Sequence, residues 1–483
     1  MLFFFTFILI SLSKSDKTPI ILVPGLYGSN LYATYNNIND IPWYCPKKMD
    51  EEILFINAKF VVPPLYNCLA YLTQGFYDNG SRQFNNIPGV NISVRDFGGD
   101  GSVDYIIKSS SKINKMQSND NLSFFGKIKN FFNIKCYDNF NSLIKYYTDR
   151  GYILGENFFA APYDWRMAPL FIDNYWPKLE KLIENAYEKS NRKKVTLIGF
   201  SMGCFVIQQF LSSNSIFVRD SKNNLRIPPI KNISQTITDE WKEKYIEKVV
   251  MLAPSFGGSH KSFDGVFNHF TTLIPEIRNK YITNMSTSLP SFHAHFPNYA
   301  IFGNITIVQG PDGDNYTARN LITLVSNHSK IRKQDSDLMN VVVSSIHSEP
   351  PFDIGEKIPL SVIYNSQVNT LSLLQFKEGW DKNPTRVYKK VGDGTIQVEG
   401  PKYICNNWKT ENRSLLCIDL NNPDESKYVH SALPQNPNVQ ELLFNLTSKH
   451  SDNKKVDWWK RTGKIQITIS GIKGNSEKFS VDL

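Results

Sequence analysis

Near the middle of the chain, Gly199-Phe200-Ser201-Met202-Gly203 sets a serine between two glycines, after the apolar run 194–198 and before the helix-forming run 202–211. Side chains at the flanking positions would collide across so sharp a turn, and the glycines avoid this. The turn exposes the serine hydroxyl and aims the following amide N–H into the same space. Serine at its own pKa is a feeble nucleophile and needs a base to take its proton. Ser201 is therefore a candidate nucleophile for acyl transfer, and a base and an acid must be sought elsewhere.

On such a turn the chain order is serine, then acid, then histidine. Of the eight histidines, His430 and His450 lie beyond the last expected core strand. His430 stands in Tyr428-Val429-His430-Ser431-Ala432, just ahead of a late helix, whereas His450 lies in a polar stretch, so His430 is the better candidate. The acid belongs after the strand at 360–364. Asp393 sits between Gly392 and Gly394, where a tight bend can hold a carboxylate towards an imidazole. Asp-Gly is also the commonest hairpin signal, and on spacing alone Asp381, Asp419 and Asp424 stay open.

An oxyanion hole needs two backbone donors. Met202 supplies one, and the loop Val23-Pro24-Gly25-Leu26-Tyr27-Gly28 is suited to the other, from Leu26 first and Tyr27 next. That loop is no phosphate cradle, because no Gly-Lys-Ser/Thr follows it. His293-x-His295 has no third ligand nearby, Gly98-Gly99-x-Gly101 lacks the dinucleotide pattern, and Cys204 is expected beneath the serine turn. No metal and no cofactor is called for.

Strands are expected at 17–23, 92–95, 157–161, 194–198, 249–252 and 360–364, and helices at 140–149, 176–188, 202–211 and 439–446. The stretch 26–40 reads as loop, 109–130 and about 219–240 as polar insertions, and 258–357 as irregular. This alternation implies an α/β fold, a mostly parallel sheet flanked by helices. The segment 41–77 is rich in aromatic and aliphatic residues, fitting either core packing or a surface that meets apolar material.

The chain has 483 residues, 41% hydrophobic and 20% charged, which is globular composition. Its net charge of +9 is thinly spread, densest near Lys454, Lys455, Lys460 and Arg461, with no motif for nucleic acid. The apolar run 2–10 is too short to span a bilayer and sits where a signal peptide belongs. N-x-S/T triplets at Asn79, Asn91, Asn121, Asn232, Asn284, Asn304, Asn315, Asn327, Asn412 and Asn445 suit the same secretory route. So do six cysteines, with Cys45/Cys68 and Cys405/Cys417 as close pairs and Cys136 and Cys204 left over.

Several blocks, in order, resemble the lecithin:cholesterol acyltransferase and lysosomal phospholipase A2 family. They are the segments 19–31, 43–45 to Cys68, 98–105, Ala160-Ala161-Pro162-Tyr163-Asp164-Trp165-Arg166, 198–204, 252–259 and 392–396. The resemblance implies an α/β-hydrolase with an inserted cap and a disulfide-closed, membrane-facing loop. By it, Ser201, Asp393 and His430 form the triad, Leu26 and Met202 give the oxyanion donors, and Cys45–Cys68 closes the lipid-contacting loop. A second family bridge would reach the strand at 360–364, which has no cysteine here, so Cys405–Cys417 is expected instead.

The implied organisation is a signal peptide at 1–15, hydrolase core at 16–257 and 358–447 (membrane-facing loop 41–77), a cap at 258–357 and a basic extension at 448–483. The implied partners are phospholipid and lipid alcohol substrates and a membrane or lipoprotein surface, with no nucleic acid; the destination is extracellular or lysosomal. A neutral-lipid lipase or esterase is the nearest alternative, and a catalytically silent lipid-binding protein is the alternative from another class.

Overall fold

Four consecutive apolar residues, Ile20–Val23, form a strand (β1) buried on both faces. Five more strands share its sheet: β2 (Phe158–Ala160), β3 (Val195–Phe200), β4 (Ile246–Leu252), β5 (Leu360–Tyr364) and β6 (Leu415–Asp419). Their spatial order is β6-β5-β4-β3-β1-β2, and every pairing is parallel. Strands covered on both faces read as near-continuous hydrophobic runs, which is how β1, β3 and β5 are written. This is the α/β-hydrolase arrangement, seen in a computed structural model that describes residues 17–61, 64–105, 138–212, 237–268, 280–347 and 350–448. The expected signal peptide, Asn121, Asn232, Cys136, the expected insertion 109–130, most of 219–240, His450 and the extension from 449 on lie outside the described residues.

The period of two along each strand sorts side chains onto two cores. Ile21 and Val23 join Leu197, Met251 and Val362 on one face, under the helices Trp176–Lys189 and Met202–Leu211. Ile20 and Leu22 join Ile198, Val250 and Ile363 on the other, under the helices Asn141–Thr148 and Pro437–Thr447. The order reverses between β3 and β1. After β1 the chain proceeds towards β2, and after β3 it proceeds towards β4, so the loops leaving these neighbours diverge and open a crevice at their carboxyl ends.

Two expectations are corrected. The stretch 26–40 is not all loop: Leu31–Asn36 is a strand whose Leu31, Ala33 and Tyr35 point inward in strict alternation. It pairs on either side with Lys48–Phe55 and Asn91–Ser93. Only Thr34 in it is β-branched, so the alternation carried a signal that propensity did not. The stretch 258–357 is not irregular either. It holds the helices His260–Phe267, Lys280–Ser288, Pro290–Ala294, Tyr299–Phe302, Leu321–His328 and Lys333–Ile346. Several are too short to display a helical period, although Leu338, Met339, Val342 and Val343 form a plain stripe on the longest.

Two disulfides join Cys45 to Cys68 and Cys405 to Cys417, and Cys204 is free and buried. The helix Tyr66–Thr73, which carries Cys68, lies against the helix Lys280–Ser288, with the Tyr71 and Tyr281 rings 6.2 Å apart. A further sheet pairs Val368–Gln375 with Thr385–Gly392 and, in parallel, with Val308–Gln309. Among the described residues, no helix is long and apolar enough to cross a membrane.

Candidate active site

The carboxyl end of β3 breaks at Ser201, whose backbone sits at φ 53° and ψ −120°, a region that costs a non-glycine residue energy and is held by its surroundings. Ser201 N–H donates to Leu252 O at the end of β4 (2.9 Å), and Ser201 O accepts from Cys204 N–H (3.0 Å). No side chain fits at either flanking glycine. A Cβ on Gly203 would lie 2.1 Å from Val23 O and 2.5 Å from Pro24 O, and one on Gly199 would lie 2.8 Å from the Cys204 backbone. These clearances are why the serine is bracketed by glycines. Cys204 is spent on packing: its Sγ faces Leu252 O and burial pushes its thiol pKa up.

The structure brings Ser201, His430 and Asp393 into one row, though Asp393 and His430 lie far along the chain. His430 opens the short 3₁₀ segment His430–Gln435 ahead of the helix Pro437–Thr447. Its Nδ1 lies 2.7 Å from Asp393 Oδ2 and its Nε2 lies 2.8 Å from Ser201 Oγ. A carboxylate only accepts, so Nδ1 carries the ring proton, and Nε2 is left to accept from the serine hydroxyl. The imidazole rests near the Phe200 ring, 5.0 Å between centroids. Asp393 is 2% exposed and its other oxygen, Oδ1, accepts N–H groups from Thr395 (3.0 Å) and Ile396 (2.7 Å). The Asp-Gly signal is thus a tight turn as well, and the two readings of it are compatible. Asp381 pairs with Lys382, Asp419 accepts from Ser366 and Asn421, and Asp424 caps its own loop.

The loop after β1 lies alongside. Gly28 N–H donates to Gly25 O (2.9 Å) across Leu26 and Tyr27, with Tyr27 at φ 63°, which leaves the Leu26 and Tyr27 amides outside that bond. A Cβ on Gly25 would come within 3.0 Å of Ser201 Cβ, so the loop backbone passes directly over the nucleophile candidate. Met202 N–H, in the first turn of its helix, has no intrahelical acceptor. The Met202 amide and the loop that carries Leu26 thus both lie next to Ser201.

Sequence reasoning missed what fixes this loop. Tyr163 Oη donates to Pro24 O (2.7 Å), Tyr163 N–H to Ser29 Oγ (3.2 Å) and Trp165 Nε1 to Ser29 O (3.1 Å). The block 160–166 is therefore a buttress, and its unusual density of aromatic residues was the available signal. Arg166 ends it, fully buried, bridging Asp164 through Nε (2.9 Å) and Nη2 (2.6 Å) and reaching Thr73 O and Asn86 Oδ1, both beyond the loop closed by Cys45–Cys68. The pair His293 and His295 is no metal site. His293 Nε2 meets Thr287 O (2.8 Å), while His295 meets Ser291 O (2.6 Å) and Ser255 Oγ (2.9 Å).

The sequence model of one family, lecithin:cholesterol acyltransferase, matches residues 53–348, more than half of the chain. The chain belongs to the lecithin:cholesterol acyltransferase family. Within that family it is 23% identical over 427 residues to a phosphatidylcholine-sterol acyltransferase of Rattus norvegicus, covering 86% of this chain and 83% of that one. It is 24% identical over 445 residues to a lysosomal phospholipase A and acyltransferase of Canis lupus familiaris, covering 91% of each. Among solved structures, that of a Tle4–Tli4 complex covers 89% of this chain and 98% of its own at 11% identity, with a TM-score of 0.43.

Proposed function

We propose that this member of the lecithin:cholesterol acyltransferase family is a serine-dependent lipid acyltransferase and phospholipase A. The observation that carries the proposal is the hydrogen-bonded row Asp393–His430–Ser201 at the crevice mouth, in a chain whose relatives are named for phospholipid and sterol acyl transfer. His430 Nε2 takes the Ser201 proton as Oγ attacks the ester carbonyl of a phospholipid. The carbonyl oxygen becomes an oxyanion facing the Leu26 and Met202 amides. The imidazolium returns its proton to the leaving oxygen, and the lyso-lipid departs. Water or a lipid alcohol such as a sterol then gives its proton to His430 and attacks the acyl-enzyme, and the imidazolium returns that proton to Ser201 Oγ as the acyl–Oγ bond breaks and the acylated product leaves. Asp393 keeps the proton on Nδ1 and stabilises the imidazolium in both halves.

The proposal extends to organisation and destination. Residues 16–257 and 358–447 form the hydrolase core and 258–357 a helical cap, consistent with the helices that lie between β4 and β5. The loop closed by Cys45–Cys68 contacts the lipid surface, supported by Trp43, which is 87% exposed beside Tyr44. The secretory route is supported by the two disulfides and by the absence of any buried asparagine among the eight described N-x-S/T sites.

The test uses purified chain with acyl-labelled phosphatidylcholine vesicles, with and without sterol. Acyl transfer is expected from the parent and none from Ser201→Ala, with the fold retained by circular dichroism. Turnover by a folded Ser201→Ala variant would falsify the mechanism, and hydrolysis of triacylglycerol in preference to phospholipid would replace it with the neutral-lipid lipase.

A further inference from the structure

Residues 253–259 link the end of β4 to the helix His260–Phe267, and each end of this link is bonded to one side of the candidate site. At its start, Leu252 O holds Ser201 N–H (2.9 Å). At its end, Ser259 Oγ donates to Thr395 O (2.5 Å) in the turn that carries Asp393. We propose that Ser259 is a positioning residue for Asp393, acting through the Thr395–Ile396 peptide. The proposal rests on Ser201, His430 and Asp393 being the reacting set.

The geometry is that of one peptide unit held at both ends. Its carbonyl, on Thr395, accepts from Ser259 Oγ, and its N–H, on Ile396, donates to Asp393 Oδ1 at 2.7 Å. A hydrogen bond to the carbonyl polarises the amide and strengthens the N–H as a donor. With Oδ1 so held, the carboxylate cannot rotate freely, and Oδ2 stays directed at His430 Nδ1. Chains of oriented hydrogen bonds of this kind are how sites keep reacting groups within a fraction of an ångström.

Ser259 is itself fixed. It is 2% exposed, its N–H donates to His295 O (2.8 Å), and its Oγ accepts from Lys261 N–H (3.2 Å) as the helix cap. Its neighbour Gly258, at φ +80°, runs so close to the segment ahead of Tyr299–Phe302 that a Cβ there would lie 2.1 Å from Phe296 O. The cap is an ordinary structural device. The second bond, out of the helix and onto the acid turn, is not needed for capping.

The experiment compares Ser259→Thr with Ser259→Val, which differ by a hydroxyl against a methyl and so cancel shape. The extended backbone at this position (φ −148°, ψ 134°) accepts either β-branched residue. Two rates are read for each full-length variant: turnover of labelled phosphatidylcholine vesicles, and covalent labelling of Ser201 by a fluorophosphonate, which does not depend on lipid binding. Ser259→Val is expected to lose roughly tenfold in kcat and in labelling rate with KM unchanged, about what one net hydrogen bond contributes. Ser259→Thr is expected to match the parent in both. Parent-like labelling by Ser259→Val, or equal losses in Val and Thr, overturns the proposal. If the parent itself is not labelled at Ser201, the underlying reading of the site falls, and the proposal falls with it.

Discussion

At the scale of single residues, the site depends on atoms that have no room to be anything else. Replacing Asp393 by Asn keeps size and burial but puts a group able to donate opposite His430 Nδ1, favouring the tautomer that cannot accept the Ser201 proton. Asp393→Asn is therefore expected to lower kcat by about 10³–10⁴ while the thermal midpoint stays near that of the parent. A large fall in the midpoint, or a loss confined to KM, would contradict a role in holding the tautomer. The glycines test the turn from its other side. Gly203→Ala forces a methyl to 2.1 Å from Val23 O, which must push the β1 loop, and with it the Leu26 amide, away from Ser201. Its expected signature is a loss of kcat of roughly 10²-fold, the size of one oxyanion donor. Ala at Gly155, where a Cβ meets nothing within 4 Å, serves as the control; its strain at φ +75° is paid without touching the site. Equal activity losses in the two variants would show that general destabilisation, not displacement of the loop, governs the effect.

Among elements, legibility followed how each one is buried. The strands β1, β3 and β5 announced themselves as short unbroken apolar runs because both faces of a parallel sheet are covered. The turn at Ser201 was legible because its backbone demands glycines, whereas the glycines around Asp393 left Asp381, Asp419 and Asp424 open and only the family resemblance singled it out. The strand Leu31–Asn36 and the helices between β4 and β5 were not recognised, since short pieces packed against neighbours on several sides show little period of their own. Least legible were the long-range ties: no spacing rule places Tyr163 on Pro24 O, Ser259 on Thr395 O, or Arg166 between three segments. Arg166 is the strongest of these by its surroundings, a fully buried guanidinium with its charge opposed by Asp164. Arg166→Met would leave Asp164, Thr73 O and Asn86 Oδ1 short of donors while filling most of the volume. Breaking a buried pair in this way costs about 3–5 kcal/mol. The expected result is a lower thermal midpoint and faster proteolysis within 74–93, where the segment holding Asn86 loses its tether, before the core is cut. Uniform proteolysis across the chain would mean that Arg166 stabilises the whole fold instead of anchoring that region.

The molecule as a whole carries a pH dependence written into the helical stretch after β4. His260, His293, His295 and His347 are all buried there, and burial holds them neutral, lowering the first three to about 4 and His347 to about 3. Neighbouring imidazoles reinforce this, since His295 feels His430 and His347 feels His295. In the unfolded chain the same side chains titrate near the ordinary histidine value of 6.5. The sign follows: each folded value lies below its unfolded one, so the stability is fully present above about pH 6.5 and is lost as pH falls towards 4. Each proton that only the unfolded chain binds costs about 1.4 kcal/mol per pH unit. Asp335, Glu399 and Asp419 oppose the trend, because burial raises their pKa values and they gain stability on protonation. They act from their raised values down to the ordinary carboxylate range and so offset part of the loss from the histidines. The thermal midpoint is therefore expected to fall steeply between pH 6.5 and 5, and His293→Asn, which offers a neutral hydrogen-bonding group in place of one titrating ring, should make that fall shallower. A midpoint that stays level across the window would mean that water or movement lets these rings protonate in place. In that case the helices after β4 would already open at mild acidity, and hydrogen exchange in Pro290–Ala294 at pH 5 would reveal it.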